Sequence, residues 1–356
     1  MTILDPRPAP TVAGVVHSPL PRVDPITNLP ILILFPHSRC NCRCVMCDIW
    51  RGTGTTELSI EHVSRWVSEW RELGVTRVVL SGGEALMHSR LWELCDLLRA
   101  ADIGISILST GLLLRRHAAE LVTRCDDVVV SLDGPPAVHD CIRHVSRAYD
   151  RLADGIVAVR DTGSTIQITG RCTVQRANFE SLRATVASAQ DIGLDRISFL
   201  AADVSSDAFN RPGGWAGERV QAVALETDQL PALAAELDAL ERERAADFAA
   251  GFIAESPAKL RRRLLQYFRA LLGQDDFAPN DCNAPWVSSV IEADGTVRPC
   301  FFQPPLGNIH AAGDGGLVSI LNSREAVAWR RGLDPHRDAI CRRCVCTLSL
   351  GAASPR

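Results

Sequence analysis

Four cysteines crowd into eight positions near the start of the chain, at Cys40, Cys42, Cys44 and Cys47. Three more stand near the end, at Cys341, Cys344 and Cys346. Cys282 and Cys300 form a spaced pair, and Cys95, Cys125, Cys141 and Cys172 are scattered. Clustered cysteines point to metal, whereas scattered ones behave as small core hydrophobes. Thiolates are soft ligands that suit iron-sulfur clusters. The spacing Cys40-x3-Cys44-x2-Cys47 supplies three of them. Three thiolates can hold three corners of a cubane and leave one iron open to a substrate or cofactor. Zinc is the alternative on spacing alone, with His37 or Cys42 as a further ligand. Cys42 lies inside the loop and reads as a non-ligand.

The second constellation is Cys282-x12-Gly295-x4-Cys300, followed by Cys341-x2-Cys344. Asp294-Gly295 between apolar runs is a hairpin signal, because the pair accepts positive φ in a tight turn. Such a hairpin would bring Cys282 and Cys300 together, and the later pair would close a four-thiolate cage. Four ligands saturate the metal, which implies an electron-transfer or structural site. A zinc ribbon has the same spacing, and Cys346 could replace Cys344.

The elements that must position these cysteines alternate. Apolar runs at 31–35, 75–80, 105–108, 128–132, 166–174 and 196–200 read as buried parallel strands. Helical signals over 59–73, 90–101, 112–124, 149–161 and 178–190 lie between them. Trp66 and Trp70, at helical spacing, read as core. The pattern predicts an α/β chain: a partial (βα)6 TIM-like barrel with a helical insert and a small C-terminal β-hairpin/helix domain for the second metal site. The expected parts are a flexible, Pro-rich arm at 1–28, the barrel at 29–200, a linker and helical insert at 201–278, and the auxiliary domain at 279–356. Within the insert, 201–227 reads as loop, and helices are expected near 226–244 and 257–272.

Polar motifs fall at the strand ends, the functional face of such barrels. They are Ser81-Gly82-Gly83-Glu84, Ser109-Thr110-Gly111, Ser131-x-Asp133-Gly134, and Arg171 on the fifth strand. Together with the first cysteine motif they resemble the radical S-adenosylmethionine (SAM) superfamily. The resemblance implies that Cys40, Cys44 and Cys47 hold a 4Fe-4S cluster whose open iron takes SAM. It implies SAM contacts from Met46, Gly82, Gly83, Glu84, Ser109, Ser131, Asp133 and Arg171. Two departures stand out: Met46 replaces an aromatic, and the third-strand motif lacks its asparagine. The C-terminal cysteines resemble the SPASM/twitch extension, which implies an auxiliary 4Fe-4S cluster on Cys282, Cys300, Cys341 and Cys344. A flavodoxin or ferredoxin is the implied reductant.

The net charge of −4 gives no electrostatic case for nucleic acid. The basic run Arg261-Arg262-Arg263 reads as a solvated helix face. No apolar run reaches the length of a membrane span and no signal-peptide pattern is present, so a cytoplasmic protein is expected. Asp133, Cys141 and Asp203 are the candidate catalytic residues, and His139, Asp140 and Arg143 lie on the same side. The leading reading is an oxidoreductase or isomerase acting on a small molecule of sugar, aminocyclitol or nucleoside type. Radical modification of a ribosomally made peptide is the second reading. Only about 30 residues precede the first strand, too few for the leader-binding domain that many such peptide enzymes carry. A non-catalytic iron-sulfur electron carrier is the third.

Overall fold

The computed structural model describes residues 22–351. Six parallel strands lie side by side in chain order: β1 (Ile31–Leu34), β2 (Arg77–Leu80), β3 (Gly104–Ser109), β4 (Asp127–Ser131), β5 (Gln167–Val174) and β6 (Arg196–Ala201). Helices α1 (Ile60–Glu72), α2 (Leu91–Ala100), α3 (Leu114–Arg124), α4 (Pro136–Arg143), α5 (Ala148–Arg160) and α6 (Leu182–Asp191) connect them. This is the expected partial barrel. Alternation on β1 shows how it is built. Leu32 and Leu34 enter the main core, while Ile31 and Ile33 pack with Trp286, Val287 and Val290 in another.

Local chemistry sets the element ends. The Ser59 hydroxyl accepts from the His62 amide at 3.1 Å and starts α1. Ile60, Val63 and Trp70 form its buried face, and Trp66 is half-buried. Gly74, at φ +79°, ends the helix. A Cβ there would sit 2.2 Å from the Asn28 side chain, so the turn also needs glycine for space.

Three segments differ from the sequence reading. The short helix α4 is absent from it, because Pro135-Pro136 looks like a loop signal although proline suits a first helical turn. Helix α6 begins at Leu182 rather than 178. The Asn178 side chain is spent outside the helix, accepting from the Gln175 amide and donating to the Asp133 carbonyl. The loop expected over 201–227 contains α7 (Gly217–Val223), ahead of α8 (Leu230–Glu243). The second insert helix runs from Pro257 to Leu271 with a π-helical stretch at Arg261–Gln266.

The auxiliary region is not a separate layer. Strand β7 (Ser288–Ile291) pairs in parallel with β1, Ile31 opposite Ser288. Strand β8 (Thr296–Arg298) turns back on β7 through Gly295 at φ +85°, and β9 (Gly307–Asn308) follows. The result is one nine-stranded sheet in the order β6-β5-β4-β3-β2-β1-β7-β8-β9.

Of the expected flexible arm, residues 1–21 lie outside the described residues. Residues 22–28 are pinned rather than loose. The Ile26 amide and carbonyl both bond the Asn322 side chain. Asp24 pairs with Arg330 at 2.5 Å, and neither side chain is more than 7% exposed. Removing one member of a buried pair leaves the other charge uncompensated, at a cost of about 3–5 kcal/mol. Asp24→Ala is therefore expected to lower the thermal unfolding midpoint markedly. The double variant Asp24→Ala with Arg330→Met should recover most of that loss. Equal melting of wild type and Asp24→Ala would show that the pair contributes nothing.

Candidate active site

An inner cavity of about 220 Å3 opens at the C-terminal ends of the strands. The loop after β1 gives its wall Cys40, Cys44, Met46 and Cys47. Gly82 and Gly83 come from the turn after β2, Ser109 from β3, Ser131 from β4 and Arg171 from β5. Asp203, after β6, completes the ring. One face of the sheet thus gathers residues more than 160 positions apart.

The cysteine loop is tied down on two sides. The Arg43 and Val45 amides donate to the Arg143 and Ile142 carbonyls at the end of α4, at 3.1 and 3.0 Å. The Glu84 amide donates to the Arg39 carbonyl at 2.9 Å. A Cβ on Gly83 would stand 2.0 Å from that same carbonyl, so only glycine lets the two turns meet. Cys42 is buried beneath the loop, off the cavity wall. A hydrogen bond from its thiol, aided by Arg143, lowers the pKa of the Cys44 thiol against the opposing effect of burial.

Two residues expected to touch SAM do not reach the wall. The Glu84 carboxylate is fully buried and accepts from the Ser109 hydroxyl, from the Thr110 amide and hydroxyl, and from the Leu86 amide. Burial pushes its pKa up. The Thr110 hydroxyl also lies 2.9 Å from the Asn41 side-chain oxygen, so this group around Glu84 anchors the β3 turn to the cysteine loop. Asp133 is equally buried, accepts from the Thr173 amide at 2.9 Å, and contacts Arg143 at 2.6 Å.

The candidates after β4 also move. Cys141 is exposed and lies on neither this cavity nor its neighbour, so it is not placed to donate hydrogen there. His139 is buried, accepts from the Asp133 amide, and is held neutral by desolvation with a pKa near 3. Asp140 accepts from the Arg147 and Tyr149 amides at the start of α5. Arg143 does reach the wall.

An outer cavity of about 590 Å3 adjoins the inner one, and Ile49, Gly83, Phe209 and Arg211 line both. Phe35, Phe301 and Phe302 give it aromatic walls, while His37, Glu292 and Arg298 give it polar ones. The loop carrying Phe209 and Arg211 is latched to the cysteine loop. Arg211 is 3% exposed and donates to the Met46 carbonyl at 2.7 Å and to the Asp203 carbonyl at 2.8 Å. It also pairs with the Asp203 carboxylate at 3.1 Å. Its guanidinium lies 3.9 Å from the Trp215 ring, whose N–H donates to Asp48 at 2.5 Å. Phe209 and Asn210 both take φ +62°, and strain of this kind persists where surroundings over-determine it. Nothing in the sequence marks this latch: Arg211-Pro212-Gly213-Gly214 reads only as a turn.

A third, small cavity of about 40 Å3 is lined by Cys282, Cys300, Cys341, Cys344 and Cys346. Burial raises the Cys300 thiol to about 11. Gln303 donates to the Cys341 sulfur at 3.3 Å, and Asn280 donates to the Cys341 carbonyl at 2.6 Å. The basic run divides here. Arg262 is exposed and Arg261 pairs with Asp238 and Glu241 outside, but Arg263 turns inward to Asn280 and Thr347. A π-helical stretch at this point re-aims the side chain. Val345 and Cys346 also line the inner cavity, so the short segment from Cys344 to Cys346 divides the two sites.

The donor sets suit clusters. Thiols share a wall in each site, a soft donor set of the kind that holds iron-sulfur clusters. A cubane spreads its thiolates around four irons. No helix among the described residues is long and apolar enough to cross a membrane.

Residues 34–189 match the model of the Radical SAM superfamily, and residues 282–345 match SPASM, an iron-sulfur cluster-binding domain. The chain is 29% identical to the AdoMet-dependent heme synthase of Methanosarcina barkeri over 47% of its own length and 49% of the other's. It therefore spans only about half of that relative. It is 27% identical to the PqqA peptide cyclase of Ruegeria pomeroyi over 86% of this chain and 77% of that protein. Its fold resembles Streptococcus suis SuiB bound to S-adenosylmethionine, with a TM-score of 0.63 at 14% identity over 90% of this chain and 72% of that one. The chain belongs to the radical SAM superfamily and carries a C-terminal SPASM domain, with SAM and two iron-sulfur clusters as its cofactors.

Proposed function

We propose that this enzyme oxidises a small molecule of sugar, aminocyclitol or nucleoside type by hydrogen abstraction. Cys40, Cys44 and Cys47 hold the SAM-binding cluster, the inner cavity receives SAM, and the outer cavity receives the substrate. The reading is carried by the wall that the two cavities share at Ile49, Gly83, Phe209 and Arg211. A ligand in the outer cavity abuts whatever fills the inner one. The outer volume of about 590 Å3 lies within the usual range for small-molecule sites.

Bound there, SAM and its cluster would supply the chemistry of hydrogen-atom abstraction from a C–H bond. The chain's residues position and shield. Gly83 allows close backbone approach, Ser109, Ser131 and Arg171 offer polar contacts around the ring, and Met46 packs beside the thiols. Arg211 and Trp215 latch the 203–215 loop over the cysteine loop, which excludes water from a reactive intermediate. A substrate radical must lose one more electron and a proton to complete an oxidation. Cys282, Cys300, Cys341 and Cys344 would hold the auxiliary cluster, which would supply a one-electron acceptor for such an oxidation.

A second reading is supported by the match to a peptide cyclase across both parts of the chain. In it, the outer cavity takes one residue of a ribosomally made peptide.

Anaerobic reconstitution is expected to give about eight irons per chain, two clusters of four. Cys44→Ala should abolish 5′-deoxyadenosine formation and keep about half of that iron. Undiminished 5′-deoxyadenosine formation would refute the assignment of the first cluster. An iron content unchanged by a combined Cys282→Ala and Cys300→Ala variant would refute the second.

The substrate class is separated by isotope transfer. Uniformly deuterated candidate sugars, aminocyclitols and nucleosides should pass deuterium into 5′-deoxyadenosine. Transfer only from a deuterated peptide encoded beside the gene would establish the second reading in place of the first.

A further inference from the structure

The end of α4 meets the cysteine loop through a charged side chain as well as through backbone bonds. Arg143 Nη1 donates to Cys44 Sγ at 3.4 Å, an ordinary length for a bond to sulfur. Nη2 of the same guanidinium contacts Asp133 Oδ2 at 2.6 Å. The Arg143 side chain is 8% exposed and that of Asp133 is 0%.

The pair is held rigidly from behind. Asp133 Oδ1 accepts from the Thr173 amide on β5, and the Asp133 amide donates to His139 on α4. Asn178 donates to the Asp133 carbonyl at 2.8 Å. In front, the Arg143 and Ile142 carbonyls accept from the cysteine loop at residues 43 and 45. So β4, β5, α4 and the cysteine loop together fix a carboxylate, a guanidinium and one thiol in line. Neither Cys40 nor Cys47 has an arginine hydrogen bond to its sulfur among the described residues.

We propose that Arg143 is a positioning residue that holds the Cys44 thiolate and raises the reduction potential of the cluster bound by Cys40, Cys44 and Cys47, with Asp133 moderating its charge. The proposal rests on the reading that those three thiols ligate that cluster. Reduction adds one negative charge to the cluster. A buried cation hydrogen-bonded to a ligand sulfur stabilises that charge, and hydrogen bonds to sulfur are among the factors that set cluster potentials. A carboxylate behind the cation cancels part of its field. The Asp133–Arg143 pair therefore tunes the potential in opposite directions through its two members. A merely structural contact would not do so.

The test is a redox titration of the full, reconstituted chain by electron paramagnetic resonance. It follows the signal that changes when SAM is added. Arg143→Gln removes the cation and keeps much of the shape. It should lower the midpoint by about a tenfold change in the reduced-to-oxidised ratio, 59 mV for one electron. Arg143→Lys keeps the charge and should fall between Gln and wild type. Asp133→Asn can still accept from the Thr173 amide while leaving Arg143 uncompensated, so it should raise the midpoint. Unshifted midpoints, or shifts of the same sign in Arg143→Gln and Asp133→Asn, would overturn the proposal. If Arg143→Gln fails to assemble its cluster, Asp133→Asn decides alone, and an unchanged or lowered midpoint sinks the idea. Cys44→Ala separates the two levels of the argument. A SAM-responsive signal that persists there refutes the ligand assignment itself, whereas its loss alongside unmoved midpoints refutes only the role of Arg143.

Discussion

The three thiols sit on a loop with no strand or helix of its own, so its amides must find partners outside it. That need shapes the surrounding molecule. Arg43 and Val45 bond the last carbonyls of α4, Asp48 bonds the Phe209 carbonyl, and the Arg39 carbonyl takes the Glu84 amide. These bonds recruit three segments: the end of α4, the loop after β6 and the turn after β2. Docking a loop in this way demands glycine where backbones meet, as at Gly83. It also demands buried carboxylates where turns need acceptors, as at Glu84 and Asp133. The fixed geometry of the site therefore comes from the barrel mouth, and the loop inherits it.

Much of this was legible in the residues. Strand β1 and its followers were visible because continuous apolar runs suit strands buried on both faces. The cysteine spacing gave the inner site, and Gly82, Ser109, Ser131 and Arg171 do line its cavity. What was hidden depends on direction rather than type. A Gly-Gly-Glu motif says that an acidic group is present, but not that it points away from the cavity into Ser109 and Thr110. Ser131-x-Asp133 gives no sign that Arg143, ten residues on, neutralises the carboxylate. The Arg211 latch was invisible because Met46, whose carbonyl accepts from the guanidinium, is 165 positions away. Arg263 was read as solvated because an ordinary helical repeat would leave it outside, and the π-helical stretch turns it in.

The auxiliary site shows the same economy. Its hairpin adds to the barrel sheet instead of forming its own layer, and its core residues Trp286, Val287 and Val290 complete the packing of Ile31 and Ile33. The segment from Cys344 to Cys346 faces both sites. Two cysteine sites on one continuous scaffold keep a fixed separation.

The pairing of β1 with β7 has a consequence for how the chain is made. Residue 31 leaves the ribosome early and its partner, residue 288, very late. Until then β1 has only β2 beside it and presents a bare, apolar edge, the kind of surface that recruits other chains. Such long-range closure is slow, because loop entropy is spent before the contact forms. Pro30 and Pro36 bracket the strand and blunt that edge, since neither can donate to a ladder. The last strand to be synthesised thus seals the first. Truncation before residue 288 would leave the nascent barrel prone to aggregation even with every residue of the SAM-binding motif in place.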